Sequence, residues 1–222
     1  MNRIYYFGNK QSNNILLQMI GEHEVSSLDS ETELIKKLAL TDDFCLAAIK
    51  TDNWNNDLSP WKALAAYGDE DFGGGAEVTL EKLINIINSE ILTGRKMSEI
   101  NLYIGGYSLS GLFSLWSAFQ TNIFKGVAAV SPSVWYPDFC EYVQKNQIMT
   151  EKVYLSLGKK EEKTRNPIMS TVGKAIKDIF ELLSQDTDCV LEWNEGNHFK
   201  EPDLRTAKGF AWLLNRNIES EG

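Results

Sequence analysis

The residues whose types and order can do chemistry are two serines, two glutamates and one histidine. The run "NLYIGGYSLSGLFSLW" (101–116) sets Ser108 and Ser110 between a strand-like and a helix-like stretch. A nucleophile elbow needs a strand, a sharp turn with serine at its tip, and a helix, with small residues two before and two after the serine. Ser108 has Gly106 and Ser110 in those places, whereas Ser110 has Leu112 two residues beyond it. Ser108 is therefore the candidate nucleophile, and the amide of Leu109 at the helix start is one candidate oxyanion donor. A Gly-x-Ser-x-small match also occurs by chance in plain strand-to-helix turns, so its partners have to decide.

A serine needs a base, and the chain has 2 histidines. His23, in "MIGEHEVSS", lies between glutamates and reads as a solvated polar residue. His198, in "EWNEGNHFKEP", directly follows the last strand-like run, where a base would stand. The acid should come between serine and histidine in the chain. "VYLSLGKKEEKTRN" supplies Glu161, preferred because the turn after the strand is short, with Glu162 as the alternative. The bland reading of "KKEEK" is a solvated charged loop. For the second oxyanion donor, the glycine ending "RIYYFG" points to the amides of Gly8 or Asn9.

Other readings are narrower. The formal charge of −9 disfavours nucleic acid and anionic membranes as partners, since phosphate binding needs clustered Lys and Arg. The 3 cysteines, Cys45, Cys140 and Cys189, are scattered and read as small buried hydrophobes, with no zinc cage or disulfide framework. No metal and no cofactor is implied. Neither a dinucleotide glycine pattern nor a Walker lysine follows any strand. The start, "MNRIYYFGNKQ", has no apolar core of signal-peptide length, which makes a cytoplasmic location the expectation.

The elements that must position these residues alternate along the chain. Strand-like runs stand at 3–8, 44–49, 101–107, 126–131, 152–158 and 189–194. Helical periodicity marks 30–40, with Ser30 and Glu33 as a capping box, then 77–92, 111–120, 169–185 and 204–218. Alternation over 222 residues predicts one α/β domain, 1–222, a mostly parallel sheet with helices on both faces. Such sheets hold ligands at the carboxyl ends of their strands. The irregular segment 51–78 carries two tryptophans and is expected to form a lid or rim there, with "DFGGGAE" as a flexible loop at its mouth. Trp54, Trp135 and Tyr107 are candidate substrate contacts within an aromatic set that includes Trp61, Phe72 and Tyr136.

"GGYSLSGLFSLW", "SPSVWYPDF", "LSLGKKEEKTRNP", "GNHF" and the upstream "DNWNNDLSPW" resemble the esterase D-like and siderophore-ester-hydrolase-like serine esterases of the α/β-hydrolase class. The resemblance covers about residues 50 to 200. It implies an α/β-hydrolase fold, here in a compact version without the leading antiparallel hairpin. It also implies hydrolysis of a small-molecule ester through an acyl-enzyme, with Ser108 as nucleophile, His198 as base and Glu161 or Glu162 as acid. "YYFGN" would match the oxyanion loop, and Trp135 would lie near the acyl pocket. The rival readings are a non-catalytic binding protein of the same fold, and a thioesterase or acyltransferase using the same site.

Overall fold

The computed structural model describes residues 3–92 and 94–215. Its frame is a seven-stranded sheet of β1 (Ile4–Gly8), β2 (Asn14–Ile20), β3 (Cys45–Lys50), β6 (Asn101–Tyr107), β7 (Gly126–Val130), β8 (Lys152–Gly158) and β9 (Asp188–Asn194), in the order β1-β3-β2-β6-β7-β8-β9. β1 alone runs antiparallel, pairing Gly8 with Cys45, and every other neighbouring pair is parallel. β1 pairs with β3 and not with β2, so no hairpin leads the sheet among the described residues.

The strands are apolar on both sides because both sides are covered. On one face α1 (Leu28–Ala39) and α7 (Pro202–Asn215) enclose Leu16, Leu46, Tyr103, Ala128 and Tyr154 with Ile35, Phe210 and Leu213. On the other, α3 (Ala76–Ile86), α4 (Leu109–Ser117), α5 (Phe139–Lys145) and α6 (Val172–Leu183) cover Ile15, Leu17, Ile104, Val127 and Leu155. The alternation of Ile15 and Leu17 against Leu16 is the two-residue period of a strand buried on both faces. α4 is buried at every position, and its three serines are satisfied there: Ser110 Oγ donates to the Met19 carbonyl, Ser114 Oγ to that of Ser110 and Ser117 Oγ to that of Phe113. The end of the last helical pattern, 216–218, and the chain ends of the expected domain lie outside the described residues.

Several local expectations change. "RIYYFG" is the antiparallel edge strand rather than the first parallel one, and Asn14–Ile20, which the sequence reading assigns to no element, is the parallel strand beside β6. Ser30 does not cap α1. A 3-10 turn over Glu22–Ser27 runs directly into the helix, and Ser30 Oγ donates to Asp203 Oδ2 on α7.

The segment 51–78 is built from α2 (Trp54–Asp57) and a two-stranded ladder of β4 (Lys62–Ala63) with β5 (Phe72–Gly73). Trp61 Nε1 donates to the carbonyl of Pro137, and Tyr136 Oη donates to that of Trp61. "DFGGGAE" is a packed joint, not a flexible loop. Gly74 has φ +76, and a Cβ there would meet the Lys62 nitrogen at 2.6 Å. The three cysteines are free, Cys45 buried and the others partly so. Among the described residues no helix is long and apolar enough to cross a membrane.

Candidate active site

Four consecutive parallel strands end in the residues of the site: β6 in Ser108, β7 in Ser131, β8 in the turn holding Glu161, and β9 in the segment holding His198. Ser108 has φ 59 and ψ −121, a conformation that costs a non-glycine residue about 1–3 kcal/mol and is kept only where its surroundings impose it. They do so here. The Ser108 amide donates to the carbonyl of Val130, and its own carbonyl accepts from the amides of Leu112 and Ser133. A Cβ on Gly106 would collide with Ser110 Oγ, so the small residue two before the serine is a steric requirement. Ser110 itself is fully buried and donates to the carbonyl of Met19, which removes it as a nucleophile.

Ser108 Oγ lies 3.0 Å from His198 Nε2, and His198 Nδ1 lies 2.7 Å from Glu161 Oε2. Glu161 is 8% exposed, and its other oxygen accepts from Ser131 Oγ at 2.7 Å, the Gly158 amide at 2.7 Å and Arg205 Nη1 at 3.1 Å. Burial alone would push this carboxyl up. The contacts from His198, Ser131 and Gly158 outweigh it and hold the group below the usual carboxylate range. Glu162 is exposed and its carboxylate rests against Gly173 on α6, away from the histidine.

Arg205 joins the acid to the histidine segment. It is 1% exposed, and Nη2 donates to the carbonyls of Glu195 and Asn197 while Nη1 reaches Glu161, Tyr107 Oη and Ser131. Tyr107 Oη in turn donates to the His198 carbonyl at 2.7 Å. Tyr107 is thus a buried prop under the histidine rather than a substrate contact. Ser133 Oγ stands 3.4 Å from Ser108 Oγ. The sequence reading missed Arg205, Ser131 and Ser133. Arg205 carried no local signal in "LRTAKGFAWLL", and the signal for the serines was hydroxyls directly after β7 in "SPSVWY".

Leu109 is the first residue of α4, so its N–H has no intrahelical acceptor and faces the elbow. Gly8 and Asn9 are misplaced as its partner. Because β1 is antiparallel, they sit at the amino edge of the parallel strands, opposite Ser108, and the Asn9 amide is bonded to the Phe44 carbonyl. The loop at the same edge as Ser108, on the strand next to β6, leaves β2 at Gly21 and Glu22. The Gly21 amide is already donated to Glu24 Oε2 at 2.8 Å.

A cavity of about 420 Å³ opens beside His198 and Glu161, walled by Trp135, Met169 and Val172. Trp135, a candidate substrate contact in the sequence, lines this cavity. Trp54 does not. It packs edge-on to the exposed His23 beside Gly21, in a separate hollow at the ends of β2 and β3. Tyr67 and Phe72 pack on Trp135, so the segment 51–78 backs this tryptophan without itself lining the cavity. Among the described residues no cluster of three or more His, Cys, Asp or Glu could hold a metal ion.

No family model matches the sequence, and no curated protein matches it significantly. Solved structures do match its fold. An IroE-like serine hydrolase from Shewanella oneidensis superposes with a TM-score of 0.71 at 14% identity, over 100% of this chain and 77% of that one. The siderophore hydrolase EstA from Aspergillus nidulans gives 0.63 at 16% identity, over 97% and 94%. The enterobactin esterase FES from Shigella flexneri gives 0.64 at 13%, over 100% of this chain and 56% of that one. With the strand order and the helices on both faces, this is an α/β-hydrolase fold.

Proposed function

We propose that this protein is a serine hydrolase that cleaves a small-molecule carboxylic ester through an acyl-enzyme, with Ser108, His198 and Glu161 as its catalytic residues. The observation that carries the reading is the hydrogen-bonded line from Ser108 Oγ to His198 at 3.0 Å and on to Glu161 at 2.7 Å, at the carboxyl edge of the sheet. Fold likeness to esterases raises its prior without assigning chemistry.

In this reading His198 Nε2 takes the Ser108 proton as Oγ attacks the ester carbonyl. Glu161 fixes the Nδ1–H tautomer and stabilises the imidazolium. The oxyanion is held by the Leu109 amide and by a second amide from the turn after β2; with the Gly21 amide engaged, that donor is Glu22. His198 then gives its proton to the leaving alcohol oxygen. Water, deprotonated by His198, attacks the acyl-enzyme and releases the acid, restoring Ser108. A cavity of about 420 Å³ suits a small molecule, and the segment 51–78 backs it through Tyr67 and Phe72 packed on Trp135.

Turnover of short aryl esters by the purified protein, lost in Ser108→Ala, is the expected result. A folded wild type that hydrolyses none of a panel of acetyl to octanoyl aryl esters would favour the non-catalytic binding protein instead.

A further inference from the structure

The wall of the cavity nearest the catalytic acid carries two lysines, Lys160 and Lys163, that make no ion pair among the described residues. Lys160 and Lys163 flank the 3-10 turn Glu161–Lys163, and the Lys163 amide donates to the Lys160 carbonyl. In a 3-10 turn side chains three residues apart eclipse one another, so both ammonium groups rise on one face. Both side chains are exposed and both line the cavity. The backbone that sets them also sets Glu161, which fixes their place relative to His198.

The nearby acids are engaged elsewhere. Glu161, the acid of the cavity, is committed to His198, Ser131 and Arg205. Glu195, the acid that feels Lys160, is already paired with Lys159. Lys163 has no ion pair among the described residues. In a chain of net charge −9, the cavity beside the histidine therefore presents two unpaired ammonium groups above an apolar wall of Trp135, Met169 and Val172. Two like charges on one cavity wall, neither with an ion pair among the described residues, point to an anionic ligand.

We infer that Lys160 and Lys163 form an anion subsite, and that the preferred substrates are esters whose alcohol half carries a carboxylate or similar anionic oxygen group. This rests on the esterase reading. The half is assigned by the chemistry: the leaving oxygen must receive its proton from His198 Nε2, so the alcohol lies on the histidine's side, where the cavity and both lysines are. The apolar wall then holds the carbon frame while the ammonium groups meet its charge.

The test compares 3-carboxyphenyl acetate with its neutral counterpart, 3-carbamoylphenyl acetate, on the wild type and on K160Q/K163Q. The quantity is the ratio of kcat/KM for the two esters within each protein, which cancels differences in folded fraction and in leaving-group reactivity. An ammonium at about 5–6 Å in a solvent-like dielectric changes that ratio roughly three- to fourfold, so removing both should lower it roughly 10- to 16-fold. The wild-type ratio should also fall toward that of the variant in about 0.5 M salt, where screening is short-ranged. Hydrolysis of the carbamoyl ester with the same ratio in both proteins would overturn the subsite and leave the esterase reading standing. A folded protein that hydrolyses neither ester would overturn both.

Discussion

Replacing Arg205 with methionine tests whether one buried guanidinium holds the acid and the histidine segment together. Methionine fills much of the stem's volume but donates nothing. Two carbonyls, of Glu195 and Asn197, and Glu161 Oε1 each lose a bond. Removing one partner of a buried ion pair costs about 3–5 kcal/mol. Glu161 keeps its bonds from Ser131, Gly158 and His198, which places the cost at the lower end. For a chain of this size the unfolding entropy is about 0.5 kcal/mol/K, so Tm should drop by about 6 °C, and by about 10 °C at most. The histidine also loses support, because Arg205 orders Tyr107 beneath the His198 carbonyl. A displacement of about 1 Å at the base lowers rate by up to about 100-fold, so kcat/KM on an aryl ester should fall at least about tenfold. Arg205→Lys should fail similarly, since one ammonium cannot reach Glu161 and both carbonyls together. Circular-dichroism melts and steady-state kinetics read both effects. Arg205→Met melting within about 2 °C of wild type, with kcat/KM within a factor of about three, would refute the reasoning.

Three further outcomes follow from the site and its loops. Glu161→Gln should lower kcat by about 10²- to 10⁴-fold while Glu162→Gln stays close to wild type, and equal losses would mean the acid is misassigned. Ser108→Gly and Ser108→Ala both remove the hydroxyl, but only glycine relieves φ 59, so the glycine variant should melt higher by an equivalent of about 1 kcal/mol; a lower melt would argue against strain at the elbow. Burial pushes the Glu24 carboxyl up to about 7 against the opposing bond from the Gly21 amide, so its contribution to stability is full below about 4.5 and is lost as pH rises through about 7. Glu24→Gln has no proton to lose there, and its stability relative to wild type should grow by up to about 3 kcal/mol between pH 5 and pH 8. Parallel melting-temperature profiles across that range would contradict it.

The reactive line was legible because each member sits directly after a strand with a visible apolar run: Ser108 after "NLYIGGY", Glu161 after "KVYLSLG", His198 after "CVLEWN". Having 2 histidines left little choice of base. The oxyanion loop was not legible. "RIYYFG" reads as a strand and "NILLQMI" is assigned to no element by the sequence reading, and strand direction is a property of pairing across the sheet that no local pattern records. Gln18 also breaks the second run, and only the fold explains it, through Glu31 buried on α1. Arg205 was hidden for the opposite reason. It lies on an amphipathic helix, where an arginine reads as solvent-facing until its partners from β6, β7, β8 and β9 converge on it. Glycine-rich "DFGGGAE" read as flexible because the contacts that demand glycine, from Trp61, Lys62 and Asn56, come from the neighbouring strand and turn.

The central claim is that Ser108 is an activated nucleophile. Labelling with a fluorophosphonate probe, followed by peptide mass mapping on wild type, Ser108→Ala and Ser110→Ala, tests it most directly. The account predicts a covalent adduct on Ser108 in the wild type and in Ser110→Ala, and none in Ser108→Ala. No adduct on a folded wild type, or an adduct that persists in Ser108→Ala, would contradict it.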